Sequence, residues 1–278
     1  MNQTITNSDQ YWAYDDWQNW AAELDPLLDT IYDRSVLQRF NEAVLPNWLQ
    51  WLDDQQFAIN GSAPGTEQIQ AHLADRFLGL RVYHATRLKS LSDLRELGLR
   101  AWTPLELSQL AQRTFENHTQ DQALLAKCIH CANPTHRGGR VYTFRTLSDA
   151  LPGKCVCFAK SGSEWLEAVA SCVGITGYVK TIRETTQPYL VACNIPWQLL
   201  GPDNVHWLAK EALLTIITSR YFAIENYTMP CRSGVSISID HSIPPEHITG
   251  VAELSELIDR DDLTADLLTW TKLGSPCS

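Results

Sequence analysis

The stretch RVYHATRLKSLSDLRELGLRAW, Arg81 to Trp102, places a histidine in an apolar, strand-like run that breaks into a polar helix start. Side chains alternate across a strand, so Val82 and His84 share one face while Tyr83 and Ala85 share the other. Leu80 to His84 reads as a strand closing on His84, and Ser90 or Ser92 reads as the start of a helix over Ser90 to Glu96. A strand end that feeds a turn is where an imidazole can meet a ligand as donor or acceptor. The competing reading is a structural histidine.

Outward from this stretch, the chain changes character on either side of residue 80. Before it, Trp17, Trp20, Leu24, Leu27, Leu28 and Ile31 recur at helical spacing, and Phe40, Val44, Leu45, Trp48, Trp51 and Leu52 do so again. This predicts a Trp-rich helical segment over 1–79, with turns or helix starts at Pro26 and Pro46, a break at Asn60 to Gly65, and a shorter helix over Glu67 to Phe77. The aromatic face either docks a partner or packs on the rest of the chain, and packing is the commoner use. After residue 80, strands are predicted at Arg140 to Phe144, Cys155 to Ala159, Tyr189 to Ile195, Ile224 to Thr228, Val235 to Asp240 and Gly250 to Leu254. Helices are predicted at Leu105 to His130, Ser163 to Val173 and Leu208 to Ser219. Strands and helices do not alternate one for one, which favours an α+β fold with a mixed or antiparallel sheet over 80–278.

Composition narrows the function. The 278 residues carry 22 Lys and Arg against 32 Asp and Glu, a formal charge of -10. That balance argues against tight binding to nucleic-acid phosphates and favours a protein partner. No apolar run reaches the length of a membrane span, and the first residues lack the basic and apolar regions of a secretory signal. The eight cysteines are therefore expected as reduced thiols or metal ligands in a cytoplasmic setting. Cys128, Cys131 and His136 with Cys155 and Cys157 could hold zinc, although the Cys155 and Cys157 pair also suits core thiols. Neither G-x-G-x-x-G nor a P-loop occurs, and Ser161-Gly162-Ser163-Glu164 reads as a helix cap, not a hydrolase elbow.

Tyr83-His84-Ala85-Thr86, followed by a helix ending in Leu97-Gly98-Leu99, resembles the opening of the ADP-ribosyltransferase fold in its histidine-bearing branch. That branch includes diphtheria-toxin-like and poly-ADP-ribose-polymerase-like enzymes. Ile243-Pro244-Pro245-Glu246-His247-Ile248 resembles the closing segment of many bacterial members. The resemblance implies a split sheet that binds NAD as substrate, with ADP-ribose passed to a macromolecular acceptor by an enzyme of toxin, effector or defence type. It places His84 on a ribose hydroxyl, the backbone of Ala85 and Thr86 near the nicotinamide amide, and Tyr142 or Phe158 stacked on nicotinamide. It also calls for a glutamate to steady the oxocarbenium-like cation. Glu225 suits the family order His, aromatic, Glu, and Glu164, Glu211 and Glu246 are the other candidates. The E-x-E pair of the arginine-modifying branch is absent from the chain. Water in place of the acceptor would make an NAD glycohydrolase, and a zinc-stabilised, non-enzymatic binding module is the reading from another class.

Overall fold

The structure, a computed structural model, describes residues 10–41, 48–61, 65–151, 159, 162–221, 236–259 and 263–273. The expected strands at Cys155 to Ala159 and Ile224 to Thr228 lie almost wholly outside these residues, as do Phe158 and Glu225. The chain divides into two compact units, Met1–Leu80 with Pro196–Arg232 and Arg81–Ile195 with Ser233–Ser278. The first unit thus takes one segment from within the 80–278 region.

In the first unit, helices Trp17–Leu24, Leu28–Ile31, Arg34–Asn41, Trp48–Asn60 and Gly65–Arg76 are followed, much later in the chain, by Trp197–Leu200 and Pro202–Tyr221. Pro26 does mark a turn, a single 3-10 turn over Asp25–Leu27. The tryptophan face is turned inward. Trp12 is 1% and Trp20 4% exposed, and Trp12, Tyr14 and Trp20 pack with ring centroids 5.1–5.3 Å apart. Leu24, Leu28 and Ile31, which share that face, are buried with them. Near its end the long Pro202–Tyr221 helix presents Arg220, which forks onto Asp25 at 2.7 Å and reaches Asp29 at 2.9 Å. Within the Trp48–Asn60 helix Asp53 accepts from the Tyr32 hydroxyl at 2.7 Å and the Gly65 backbone at 2.9 Å.

The second unit is built on the sheet. Among the described residues, strands β2 (Gly79–Leu88), β3 (Val141–Phe144), β4 (Gln187–Pro196), β5 (Ser236–Ile239), β6 (Ile248–Glu253) and β7 (Trp270–Thr271), with β1 (Tyr11–Ala13) of the first unit, form one seven-stranded sheet. The order is β5-β3-β2-β4-β6-β7, with β1 pairing β2, whose first residues Gly79 and Leu80 belong to the helical unit. The pairs β2/β3, β3/β5, β4/β6 and β6/β7 are antiparallel. The α+β class and an antiparallel sheet are as the sequence predicts. On one face Tyr83, Ala85, Phe144, Leu190, Ala192 and Ala252 pack with Ile258, Leu263 and Leu268. The alternate residues Val82, Val191, Cys193 and Val251 are buried as well, which explains why β4 reads as an unbroken apolar run.

Two expectations change. β2 does not close on His84 but continues to Leu88 between β3 and β4, and there Arg87 finds partners that the local sequence does not show. Its guanidinium donates to the Thr186 hydroxyl (2.9 Å), the Ala159 carbonyl (2.7 Å) and the Thr186 carbonyl (2.6 Å). Arg87→Ala leaves these carbonyls without a charged donor and should cost about 3 kcal/mol in urea unfolding. Arg87→Lys should recover less than half of that, since an ammonium cannot reproduce the fork. The expected helix over Leu105 to His130 is two helices, Pro104–Phe115 and Gln122–Cys131. Asp121 caps the second by accepting from Leu124 N at 2.8 Å, and the polar run before it turns the chain. Helix Tyr178–Thr185, which no sequence pattern above predicts, follows Gly177 in the left-handed region.

Candidate functional site

The site is assembled where the Gln122–Cys131 helix hands over to β3. Asn133, with φ of 50°, reverses the chain into the short Pro134–Arg137 helix, and Pro134 occupies its first turn. Gly138 and Gly139 then lead to β3. A Cβ at Gly138 would meet the Pro104 ring at 2.6 Å, and Gly139 has φ of 78°. This tight path sets Arg137 between two elements. Its Nη2 donates to Glu164 Oε2 at 2.6 Å, and its guanidinium lies 5.2 Å from the centroid of the Tyr142 ring. The Tyr142 hydroxyl donates to the His136 carbonyl at 3.2 Å.

Glu164 is the first residue of the Glu164–Val173 helix, capped by Ser163 as the sequence predicts. Its carboxylate sits at the N-terminal end of that helix and against Arg137. The next residue, Trp165, is 5% exposed and donates from its indole to the Ala132 carbonyl at 3.1 Å. Asn133, His136, Arg137, Glu164 and Trp165 border an open cleft of about 310 Å³, at the small end of ligand pockets.

His84 joins the same chain of contacts from β2. Beside the Tyr83–Phe144 register pair its Nδ1 lies 2.7 Å from the Tyr142 carbonyl oxygen. A carbonyl only accepts, so Nδ1 carries the hydrogen and the neutral ring keeps Nε2 as an acceptor. Desolvation by burial lowers the His84 pKa, outweighing the opposing effect of this hydrogen bond. The imidazole is therefore neutral at pH 7. Linkage fixes the sign: the unfolded chain takes up a proton near pH 6.5 while the folded one resists it. Stability should fall as pH drops below about 6.5, and His84→Gln should flatten that slope in urea unfolding measured from pH 7 to pH 5.

The structure thus links His84, Tyr142 and Glu164 through the Tyr142 backbone and Arg137. His84 and Tyr142 reach the cleft through Arg137 and are not among its lining residues. Ala85 is buried in the sheet core and Thr86 is half-buried next to it. Glu211 belongs to the Pro202–Tyr221 helix of the other unit, and Glu246 is an exposed turn residue after two prolines. Arg137, Asn133 and Trp165 were not singled out from sequence. The run Asn133-Pro134-Thr135-His136-Arg137-Gly138-Gly139 between a helix and a strand is the signal that could have found them.

The two segments that carry the family resemblance meet in space. Leu99 and Ile243 exchange backbone hydrogen bonds of 2.9 and 2.8 Å, and Ala101 N donates to Ser242 Oγ at 3.0 Å. Gly98, with φ of 68°, lies so close that a Cβ would overlap the Ile243 carbonyl oxygen.

The expected thiol state changes. Cys128 and Cys172 form a disulfide with Cα atoms 5.7 Å apart, so Cys128 is not free to pair with Cys131 on zinc. The sequence separation of 44 between the two cysteines hides this pairing from the sequence. Among the described residues no group of three or more metal-ligating side chains is assembled, and Cys155 and Cys157 lie outside them. No described helix is long and apolar enough to cross a membrane. Comparison of the chain with protein-family models, curated proteins and solved structures gives no match.

Proposed function

We propose that the sheet unit binds NAD and transfers ADP-ribose to a macromolecular acceptor, as an ADP-ribosyltransferase-like domain. The observation that carries this reading is the continuous contact chain from His84 through Tyr142 and Arg137 to Glu164, which joins the three residue types the chemistry needs. A neutral His84 with Nε2 as acceptor suits a ribose hydroxyl. The Tyr142 ring is the stacking surface for nicotinamide. Glu164, positioned by Arg137 at the start of its helix, is the described carboxylate suited to face the cation that develops as nicotinamide leaves. The meeting of the Gly98 and Ile243 segments supports the fold on which this rests. The net charge of -10 favours a protein acceptor over a nucleic acid.

Incubation of the full chain with NAD labelled on its adenylate, together with a cell lysate, tests the reading. Transfer of label to a macromolecule is the expected result, and its loss in His84→Ala assigns it to this site. Nicotinamide release without labelled macromolecule would indicate water as the acceptor. Absence of NAD binding by calorimetry would remove the proposal.

A further inference from the structure

We propose that Cys128, Cys131 and Cys172 form a thiol–disulfide exchange centre in which Cys128 changes partner, so that the cross-link between two walls of the cleft can be made and released. Cys128 is 1% exposed and bonded to Cys172, whereas Cys131 and Cys172 are both exposed. Cys131 ends the same helix as Cys128, three residues on, and positions i and i+3 share a helix face. Helix geometry puts their Cα atoms roughly 5 Å apart. That separation and the 5.7 Å to Cys172 both fall within the Cα span of a disulfide. Cβ atoms at i and i+3 of a regular helix lie roughly 5–6 Å apart, so a Cys128–Cys131 bond requires the last turn of the helix, which Cys131 ends, to open. Cys128 therefore has two partners, Cys172 directly and Cys131 once that turn opens. Cys193 is buried, and burial holds its thiol protonated, which leaves it outside the exchange.

The chemistry balances without an outside oxidant or reductant. Cys131 loses its proton to solvent and its sulfur attacks Sγ of Cys128. The Cys131–Cys128 bond forms as the Cys128–Cys172 bond breaks, the electron pair leaves on Cys172 sulfur, and that sulfur takes up a proton. The disulfide moves from between two helices to within one. The consequence follows from what those helices carry. The Gln122–Cys131 helix leads directly into Ala132 and Asn133, and the Glu164–Val173 helix begins with Glu164 and Trp165. These four residues line the cleft. After exchange the Trp165 bond to Ala132 and the Arg137 ion pair to Glu164 remain to hold the walls. A bearing on catalysis rests on the NAD reading proposed above, to which this cleft contributes Glu164.

The test uses full-length protein purified without reductant, held at pH 6, 7 and 8, then quenched in acid, alkylated and digested with trypsin. Residues 128–137 and 161–180 separate as two peptides, so a Cys128–Cys172 link appears as a cross-linked pair and a Cys128–Cys131 link as a loop within one peptide. Alkylation should move between Cys131 and Cys172 at a rate that rises with pH, because the thiolate is the attacking species, and does not depend on protein concentration. Cys131→Ser should keep only the Cys128–Cys172 link, and Cys172→Ser should carry the Cys128–Cys131 link. Amide exchange in 132–137 and 164–168 should be faster in Cys172→Ser than in Cys131→Ser. The proposal is overturned by alkylation of Cys131 alone at every pH, by both cysteines of 128–137 being alkylated in Cys172→Ser, or by pairing of Cys131 with another cysteine. Equal amide exchange in the two variants would also overturn it. None of these readouts involves NAD, so the exchange centre and the transferase reading can fail separately.

Discussion

If the sheet unit cleaves NAD as proposed, Glu164→Gln should lower the rate of nicotinamide release at least about 100-fold and leave the unfolding midpoint nearly unchanged. The first half follows from the charge that develops on the ribose: removing one well-placed electrostatic partner of a transition state typically costs about 3 kcal/mol, which is a factor of 100 or more in rate. The second half follows from exposure. The side chains of Arg137 and Glu164 are 37% and 38% exposed, so their ion pair contributes under about 1 kcal/mol to folding. A variant that is folded but inactive therefore separates a catalytic carboxylate from a structural one. Glu164→Asp, which keeps the charge but shortens its reach, should retain part of the rate. Glu225→Gln, measured alongside, should have little effect; loss in that variant with a normal rate in Glu164→Gln would reassign the carboxylate.

Gly98→Ala should produce the largest loss of stability. Two penalties act at one position. The backbone at φ of 68° is strained for any residue with a Cβ, and that Cβ would strike the Ile243 carbonyl oxygen, a backbone atom that cannot rotate away. The same carbonyl accepts from Leu99 N, so relief of the overlap breaks the bridge between the two segments. A cost of about 3 kcal/mol or more is expected, equivalent to roughly 10 °C in thermal unfolding. Gly177→Ala is the control: its φ is also positive, at 91°, but nothing stands near its Cβ. It should show only the conformational penalty, about 1 kcal/mol. Equal losses at the two positions would show that contact with Ile243 adds nothing.

What the sequence made legible was local. Ser90 and Ser163 cap their helices as hydroxyls preceding apolar-periodic runs should. β3 and the apolar run within β4 follow from β-branched and aromatic content. What it hid was set by distant partners. β2 outlasts His84, and its Arg87 bonds to residues 72 and 99 positions away. Cys128 meets a cysteine on another helix. The placement of His84 and Tyr142 on strands was legible because both fall in recognisable apolar runs. Arg137 was not, because its role depends on the left-handed turn at Asn133 and on a helix that starts 27 residues later. The choice among the glutamates was likewise a question of contact, which spacing cannot answer.

The composite make-up of the helical unit sets an order of events during translation. The Gly65–Arg76 helix packs along the Pro202–Tyr221 helix, with Leu213 close beside Gly65. At bacterial or eukaryotic elongation speeds of about 5–20 residues per second, the early helices wait on the order of ten seconds for that partner to leave the ribosome. Through that interval the Gly65–Arg76 helix, whose Ile69 and Leu73 are buried in the finished protein, lacks one of the elements it packs against. A nascent chain of this design calls for chaperone protection early in synthesis, and a recombinant 1–79 fragment should be recovered in inclusion bodies.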